Sequence, residues 1–163
     1  MELDPNSVEA HRAYADLLMA RERHEEAIRE IRRAEELDPF SSFIQSRYAR
    51  VLYRARKYEE ALPHLQRAID LDPNPGNSMP YWIFGSVYAE MGRYDDAIVF
   101  FQKAQSQGAR PVDISAEIAC VYARMGKPSD ARRILAQLKA TSSESTFSTA
   151  PVAYAYAALG EKD

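Results

Sequence analysis

The chain has 163 residues, the length of one domain with a core of its own. Its 21 Lys and Arg against 24 Asp and Glu give a formal net charge of −3, which argues against a molecule-wide surface for nucleic acid or anionic lipid. The one cysteine, Cys120, excludes an intrachain disulfide framework, and no apolar run reaches the roughly 18 residues of a membrane-spanning helix. We therefore expect a cytoplasmic protein.

Apolar residues recur three and four positions apart along most of the chain, which is the spacing of amphipathic helices. Proline and glycine mark where these helices end. The pattern predicts nine helices, over residues 8–21, 24–37, 42–55, 58–71, 79–92, 94–107, 112–125, 128–139 and 149–160.

Small and large residues recur in these helices at a nearly fixed interval. Alanines separated by 34, 36 and 34 residues are each followed four positions later by a bulky apolar residue. The pairs are Ala27 with Ile31, Ala61 with Leu65, Ala97 with Phe101, and Ala131 with Leu135. Fixed intervals of this size indicate stacked helical hairpins, and the small residues are needed where two helix backbones approach closely.

The third interval carries the fullest pattern, with Tyr81, Phe84, Gly85, Tyr88, Ala97, Phe101 and Ala104. Each interval resembles the tetratricopeptide repeat (TPR), a 34-residue pair of antiparallel helices. The resemblance covers nearly the whole chain and implies an all-α, right-handed superhelical solenoid. His11, Gln45 and Ser115 depart from the family's tryptophan at their position.

The chain is interpreted as a single array, 1–163. The segments are 1–7, the end of a truncated preceding repeat; four repeats, 8–41, 42–75, 78–111 and 112–145; and 146–163, a partial fifth repeat whose helix caps the array. Both ends therefore suggest a fragment of a longer array.

No catalytic, cofactor or metal site can be assembled from the sequence. His24 and Glu25 begin like a zinc-protease motif, but Ile28 stands where the second histidine is needed. The six glycines form no phosphate-binding loop, and the neighbours of Cys120 suggest an apolar filler and not a nucleophile. The sequence predicts a protein that is not an enzyme and takes no cofactor.

The resemblance implies that the first helix of each repeat lines a concave groove. The predicted partner-binding residues are Arg12, Asp16, Phe43, Arg50, Tyr53, Arg54, Met79, Trp82 and Ser86. Arginine forks suit carboxylate or phosphate groups, and tryptophan commonly anchors an interface. The alternative interpretation is a solvated basic stripe that pairs with neighbouring acids, beside a tryptophan half-buried for packing.

The predicted partner is a protein or an extended peptide. The family's chaperone-binding members clamp a C-terminal carboxylate with lysine, arginine and asparagine, but this chain has no asparagine at the ninth positions, so that clamp is not expected. Two other functions stay open: self-assembly through exposed ends, and single-stranded RNA binding by the stripe over residues 47–58, against which the pI of 5.7 argues. The run over 123–162 also resembles the C-terminal repeats of bacterial multidomain regulators.

Overall fold

The computed structural model describes residues 6–73, 76–141 and 150–160. All regular structure in these ranges is α-helical, and they contain nine helices. The helices are α1 Val8–Ala20, α2 His24–Leu37, α3 Ser42–Arg54, α4 Tyr58–Leu71, α5 Met79–Glu90, α6 Tyr94–Ser106, α7 Pro111–Arg124, α8 Pro128–Thr141 and α9 Ala150–Ala158. The predicted all-α class is confirmed, and no predicted helix end is displaced by more than two residues. The sequence also predicts an irregular connection over residues 140–145, and most of it lies outside the described residues.

The helices group into two compact units, Met1–Asn74 and Pro75–Asp163. In the first unit α1 packs on α2 and α3 packs on α4, while both α1 and α2 contact α3. In the second unit α5 packs on α6, α7 packs on α8 and on α6, and α9 packs against α7. Helical hairpins are therefore present in both units, whereas the boundaries of the individual repeats stay a prediction.

The recurring small and large residues form the core of each unit. The four alanines of the repeat pattern are completely buried, and the bulky residue four positions after each is at most 1% exposed. In the second unit the apolar cluster around α7 and α8 also includes Val152 and Ala155 of α9. The last helix thus packs on an apolar face formed by α7 and α8.

The turn between the two helices of a hairpin has the same backbone geometry four times. In each turn a backbone N–H bonds to the carbonyl five residues earlier: Arg23 to Leu18, Lys57 to Leu52, Arg93 to Tyr88, and Lys127 to Tyr122. The residue before each of these donors has positive φ, which glycine adopts at little cost. Gly92 and Gly126 supply it in the second unit, but the first unit uses Glu22 (φ 59°) and Arg56 (φ 60°).

We expect Arg56→Gly to raise the free energy of unfolding by about 0.5–1 kcal/mol, because relief of the left-handed conformation outweighs the entropy that glycine adds to the unfolded chain. Urea unfolding monitored by circular dichroism measures the change. Arg56→Ala is the matched control: it removes the same charge but keeps Cβ, so it should bring no gain. An equal gain in both variants would show that the side chain, and not φ, limits stability here.

Candidate functional site

A group of arginines surrounds one carboxylate on the shared face of α1 and α3. Asp16 accepts hydrogen bonds from Arg12 Nη1 at 2.8 Å, from Arg47 Nη2 at 2.8 Å and from Arg50 Nη2 at 2.7 Å. We call these four residues the arginine cluster. Arg12 and Asp16 are one turn apart on α1, and Arg47 and Arg50 one turn apart on α3, so each pair projects from one side of its helix.

The surroundings of the arginine cluster only partly neutralise it. Arg12 also pairs with Glu9, and the Phe43 ring lies 5.7 Å from the Arg12 guanidinium carbon and 5.3 Å from that of Arg47. The Arg47 side chain is 18% exposed and its Nε is buried without a hydrogen-bond partner. The pKa of Arg47 is lowered, first because the side chain is partly buried and second because the positive charge of Arg50 is close. Excess positive charge is therefore held in a partly dehydrated setting.

A pocket of about 210 Å³ opens beside the arginine cluster. Its lining residues are Asp16, Met19, Ala20, Arg50, Val51 and Arg54. Arg54 is exposed, lies one turn after Arg50 on α3, and has no charged or hydrogen-bonding partner among the described residues. The pocket thus joins a small apolar floor to two guanidinium groups.

Six of the nine predicted site residues lie in the first unit. Four of them, Arg12, Asp16, Phe43 and Arg50, are brought together, and Arg54 joins them at the pocket. Tyr53 is half-buried, with its ring 6.1 Å from the ring of Tyr58. The pairing with a neighbouring acid that the alternative interpretation describes is present here, because Asp16 bonds to three arginines.

The other three predicted residues lie in the second unit. Trp82 Nε1 donates to Glu117 Oε1 at 3.2 Å, and Ser86 Oγ donates to the Trp82 carbonyl oxygen at 3.2 Å. Met79 is half-buried at the first position of α5. Burial raises the pKa of Glu117, because the indole N–H compensates its carboxylate only in part. This unit therefore presents an indole beside a half-buried acid, in contrast to the arginines of the first.

Two residues that the site prediction omits contribute to these surfaces, Arg47 and Glu117. Arg47 is spaced so as to share a helix face with Arg50, so the sequence contained a signal for it. Glu117 has no such signal, since only the packing of α5 near α7 brings it to Trp82.

Two of the three histidines, His11 and His64, take part in polar pairs between paired helices. His11 Nδ1 is 2.7 Å from Glu30 Oε2. The residues 34 positions after these two, Gln45 and His64, also pair: Gln45 Oε1 accepts a hydrogen bond from His64 Nδ1 at 2.8 Å. Gln45 is completely buried and donates to Glu35 Oε1 at 2.8 Å. At the corresponding positions of the predicted third repeat the sequence has the aromatic residues Tyr81 and Phe100.

Burial lowers the pKa of His64 despite the opposing charge of Glu35. The folded protein therefore resists protonation of this ring, whereas the unfolded chain takes up a proton below about pH 6.5. We expect the neutral His64 ring to contribute to the free energy of unfolding above that pH. This contribution is lost as the pH falls from about 6.5 through the lower pKa of the folded state. His64→Gln should flatten the fall in unfolding free energy between about pH 7.5 and 5, measured by urea denaturation. An unchanged slope would contradict this.

Two observations concern metal ligands and the one cysteine in the parts of the chain that the structure describes. No three His, Cys, Asp or Glu side chains in those ranges come together as metal ligands. The Cys120 thiol is half-buried, and burial raises its pKa, which favours the less reactive protonated form. Within the same ranges no helix is long and apolar enough to cross a membrane.

The fold and these surfaces define a class: an α-helical repeat protein that presents charged and aromatic side chains on its helix faces. Family models of the tetratricopeptide repeat match residues 2–42, 40–106 and 88–146, which together span 2–146. The chain belongs to the tetratricopeptide-repeat family.

Solved structures share this fold with the chain at low sequence identity. PilW, described as a widely conserved type IV pilus biogenesis factor, has TM-score 0.79 and 19% identity, covering 96% of this chain and 72% of PilW. MamA from Desulfovibrio magneticus has TM-score 0.69 and 18% identity over 85% of this chain and 79% of the other. YrrB, described as a TPR protein with an unusual peptide-binding site, has TM-score 0.66 and 20% identity, covering 88% of this chain and 74% of YrrB. No curated protein sequence matches this chain significantly.

Proposed function

We propose that this chain is a non-catalytic scaffold that binds a protein or an extended peptide on the faces of α1 and α3 in one unit and of α5 and α7 in the other. The observation that carries the proposal is the arginine cluster with its adjoining pocket. Its guanidinium groups are fixed before any partner arrives, which reduces the entropy lost on binding. Phe43, 47% exposed beside them, adds apolar contact area.

We further propose which larger protein the scaffold belongs to and which partners it does not bind. The similarity of 123–162 to the C-terminal repeats of bacterial regulators supports a regulatory part of a larger bacterial, cytoplasmic protein. The missing asparagine argues against a chaperone-tail clamp, and the net charge of −3 argues against nucleic acid and membrane surfaces. The peptide-binding site in the description of YrrB shows that this fold can serve such a role.

The test uses peptides selected from a random phage-displayed library on the immobilised protein, with affinity measured by fluorescence anisotropy. We expect Arg50→Ala with Arg54→Ala, or Trp82→Ala alone, to weaken binding at least about tenfold, which corresponds to about 1.4 kcal/mol. The two units are varied separately, so that each surface is judged by itself. Circular dichroism melting confirms that each variant is folded.

The matched controls change the same residue types elsewhere. Arg29→Ala with Arg33→Ala alters exposed arginines of α2, and Tyr154→Ala removes an aromatic residue that is 68% exposed. These variants should bind within about twofold of the unchanged protein. Equal losses in site and control variants, or no loss in the site variants, would contradict the proposed surfaces.

Self-assembly is the second candidate function, and exposed apolar residues on the terminal helices favour it. Leu17 of α1 is 44% exposed and Tyr154 of α9 is 68% exposed. Light scattering over a concentration series separates the two candidates, since a mass that stays monomeric at every concentration removes self-assembly.

A further inference from the structure

The pocket beside the arginine cluster has a charge surplus that a particular kind of partner group would satisfy. Four guanidinium groups, those of Arg12, Arg47, Arg50 and Arg54, stand against the carboxylates of Glu9 and Asp16. Two positive charges are left over. A ligand with one negative charge would leave the site still positive, whereas a dianion would balance it.

The surplus positive charge lies mainly on the two arginines that line the pocket, Arg50 and Arg54. Arg12 and Arg47 are respectively 15% and 18% exposed, so their guanidinium groups are largely enclosed by Asp16 and Phe43. The Arg50 side chain is 44% exposed and makes one bond to Asp16, through Nη2, which leaves further N–H donors. Arg54 is exposed without a partner among the described residues. The available donors therefore converge on the pocket from two successive turns of α3.

We propose that this pocket binds a phosphate monoester carried by a peptide partner, with the phosphate oxygens shared between Arg50 and Arg54. The inference rests on the proposed function, because it names the chemical group that the first unit recognises.

The geometry favours phosphate over the carboxylate of an acidic side chain. A phosphate monoester concentrates up to two negative charges and three acceptor oxygens at one point, which suits two planar guanidinium forks on residues four apart in a helix, where Cβ atoms are about 5–6 Å apart. A carboxylate has one charge and two oxygens, which one fork can occupy fully. The apolar part of the lining, Met19, Ala20 and Val51, would contact the carbon atoms next to the phosphate.

The experiment titrates the full chain with capped short alanine peptides that carry phosphoserine, glutamate or serine at the centre. Two-dimensional NMR follows the arginine Nε–Hε signals at constant ionic strength, so that weak binding is seen and located. We expect the phosphoserine peptide to shift the Arg50 and Arg54 signals with an affinity at least about tenfold above that of the glutamate peptide. The serine peptide should shift neither signal.

Two variants make the result specific. Arg54→Gln removes a partner-free guanidinium and should weaken phosphoserine binding at least about tenfold, whereas Arg29→Gln removes an exposed arginine of α2 and should change it less than about twofold. Glutamate binding as well as phosphoserine, or equal losses in the two variants, would overturn the inference. If no alanine peptide binds while phage-selected peptides still depend on Arg50 and Arg54, the phosphate inference fails and the proposed function stands. If those peptides are insensitive to the arginines and to Trp82→Ala as well, the proposed function also fails.

Discussion

Asp16→Ala is expected to lower the free energy of unfolding by about 2–3 kcal/mol, a large loss for one exchange on a helix face. The carboxylate bonds to three guanidinium groups, and removing it leaves the largely enclosed Arg47 beside Arg50 and Arg12 with no carboxylate bonded to it. The loss is smaller than for a fully enclosed pair, because Asp16 keeps 27% of its side chain exposed. Urea unfolding at low ionic strength measures it.

The control for this prediction is Asp130→Ala, which breaks a pair with Arg133 that is exposed on both sides. That exchange should cost less than about 0.5 kcal/mol. Added salt should shrink the deficit of Asp16→Ala, because ions screen the remaining repulsion among arginines. If the two aspartate variants lose equally little, Asp16 does not hold the arginine cluster together.

Gly85→Ala is expected to destabilise the protein by about 1–2 kcal/mol even though alanine is the better helix former. A Cβ at this position of α5 would lie 2.6 Å from Cδ1 and Cε1 of Phe101 and 2.9 Å from its Cγ. Phe101 is completely buried, so its ring can move only by displacing other core residues. Thermal and urea unfolding report the loss.

The other hairpins indicate how this loss can be reversed. At the positions of Gly85 and Phe101 they pair alanine with a smaller aliphatic residue: Ala15 with Ile31, Ala49 with Leu65, and Ala119 with Leu135. The double variant Gly85→Ala with Phe101→Leu should therefore be more stable than the sum of the two single losses predicts, with a coupling of about 1 kcal/mol. Strict additivity would show that the contact is not the source of the strain.

Much of the helical framework could be predicted because its signals are local. The interval of small and large residues and the turn glycines specify helix positions, and the structure places the helices within two residues of the prediction. The left-handed turns at Glu22 and Arg56 were missed because neither residue type signals positive φ. Their interval to Gly92 is the only sign that the sequence offers.

The candidate site could be predicted only in part, for a different physical reason. Helical spacing places Arg47, Arg50 and Arg54 on one side of α3, but it does not show that Asp16 of the neighbouring hairpin satisfies two of them. That pairing depends on how α1 and α3 lie against each other. The Trp82–Glu117 hydrogen bond likewise depends on helix packing, since the two residues are 35 positions apart in the sequence.

The most direct test of whether partners bind on the α1–α3 and α5–α7 faces is NMR. Backbone amide signals of the isotope-labelled protein are compared with and without a phage-selected peptide. We expect the largest shifts on α3 around Arg50 and Arg54, or on α5 around Trp82. Shifts confined to the exposed sides of α2, α4, α6 or α8 would contradict it.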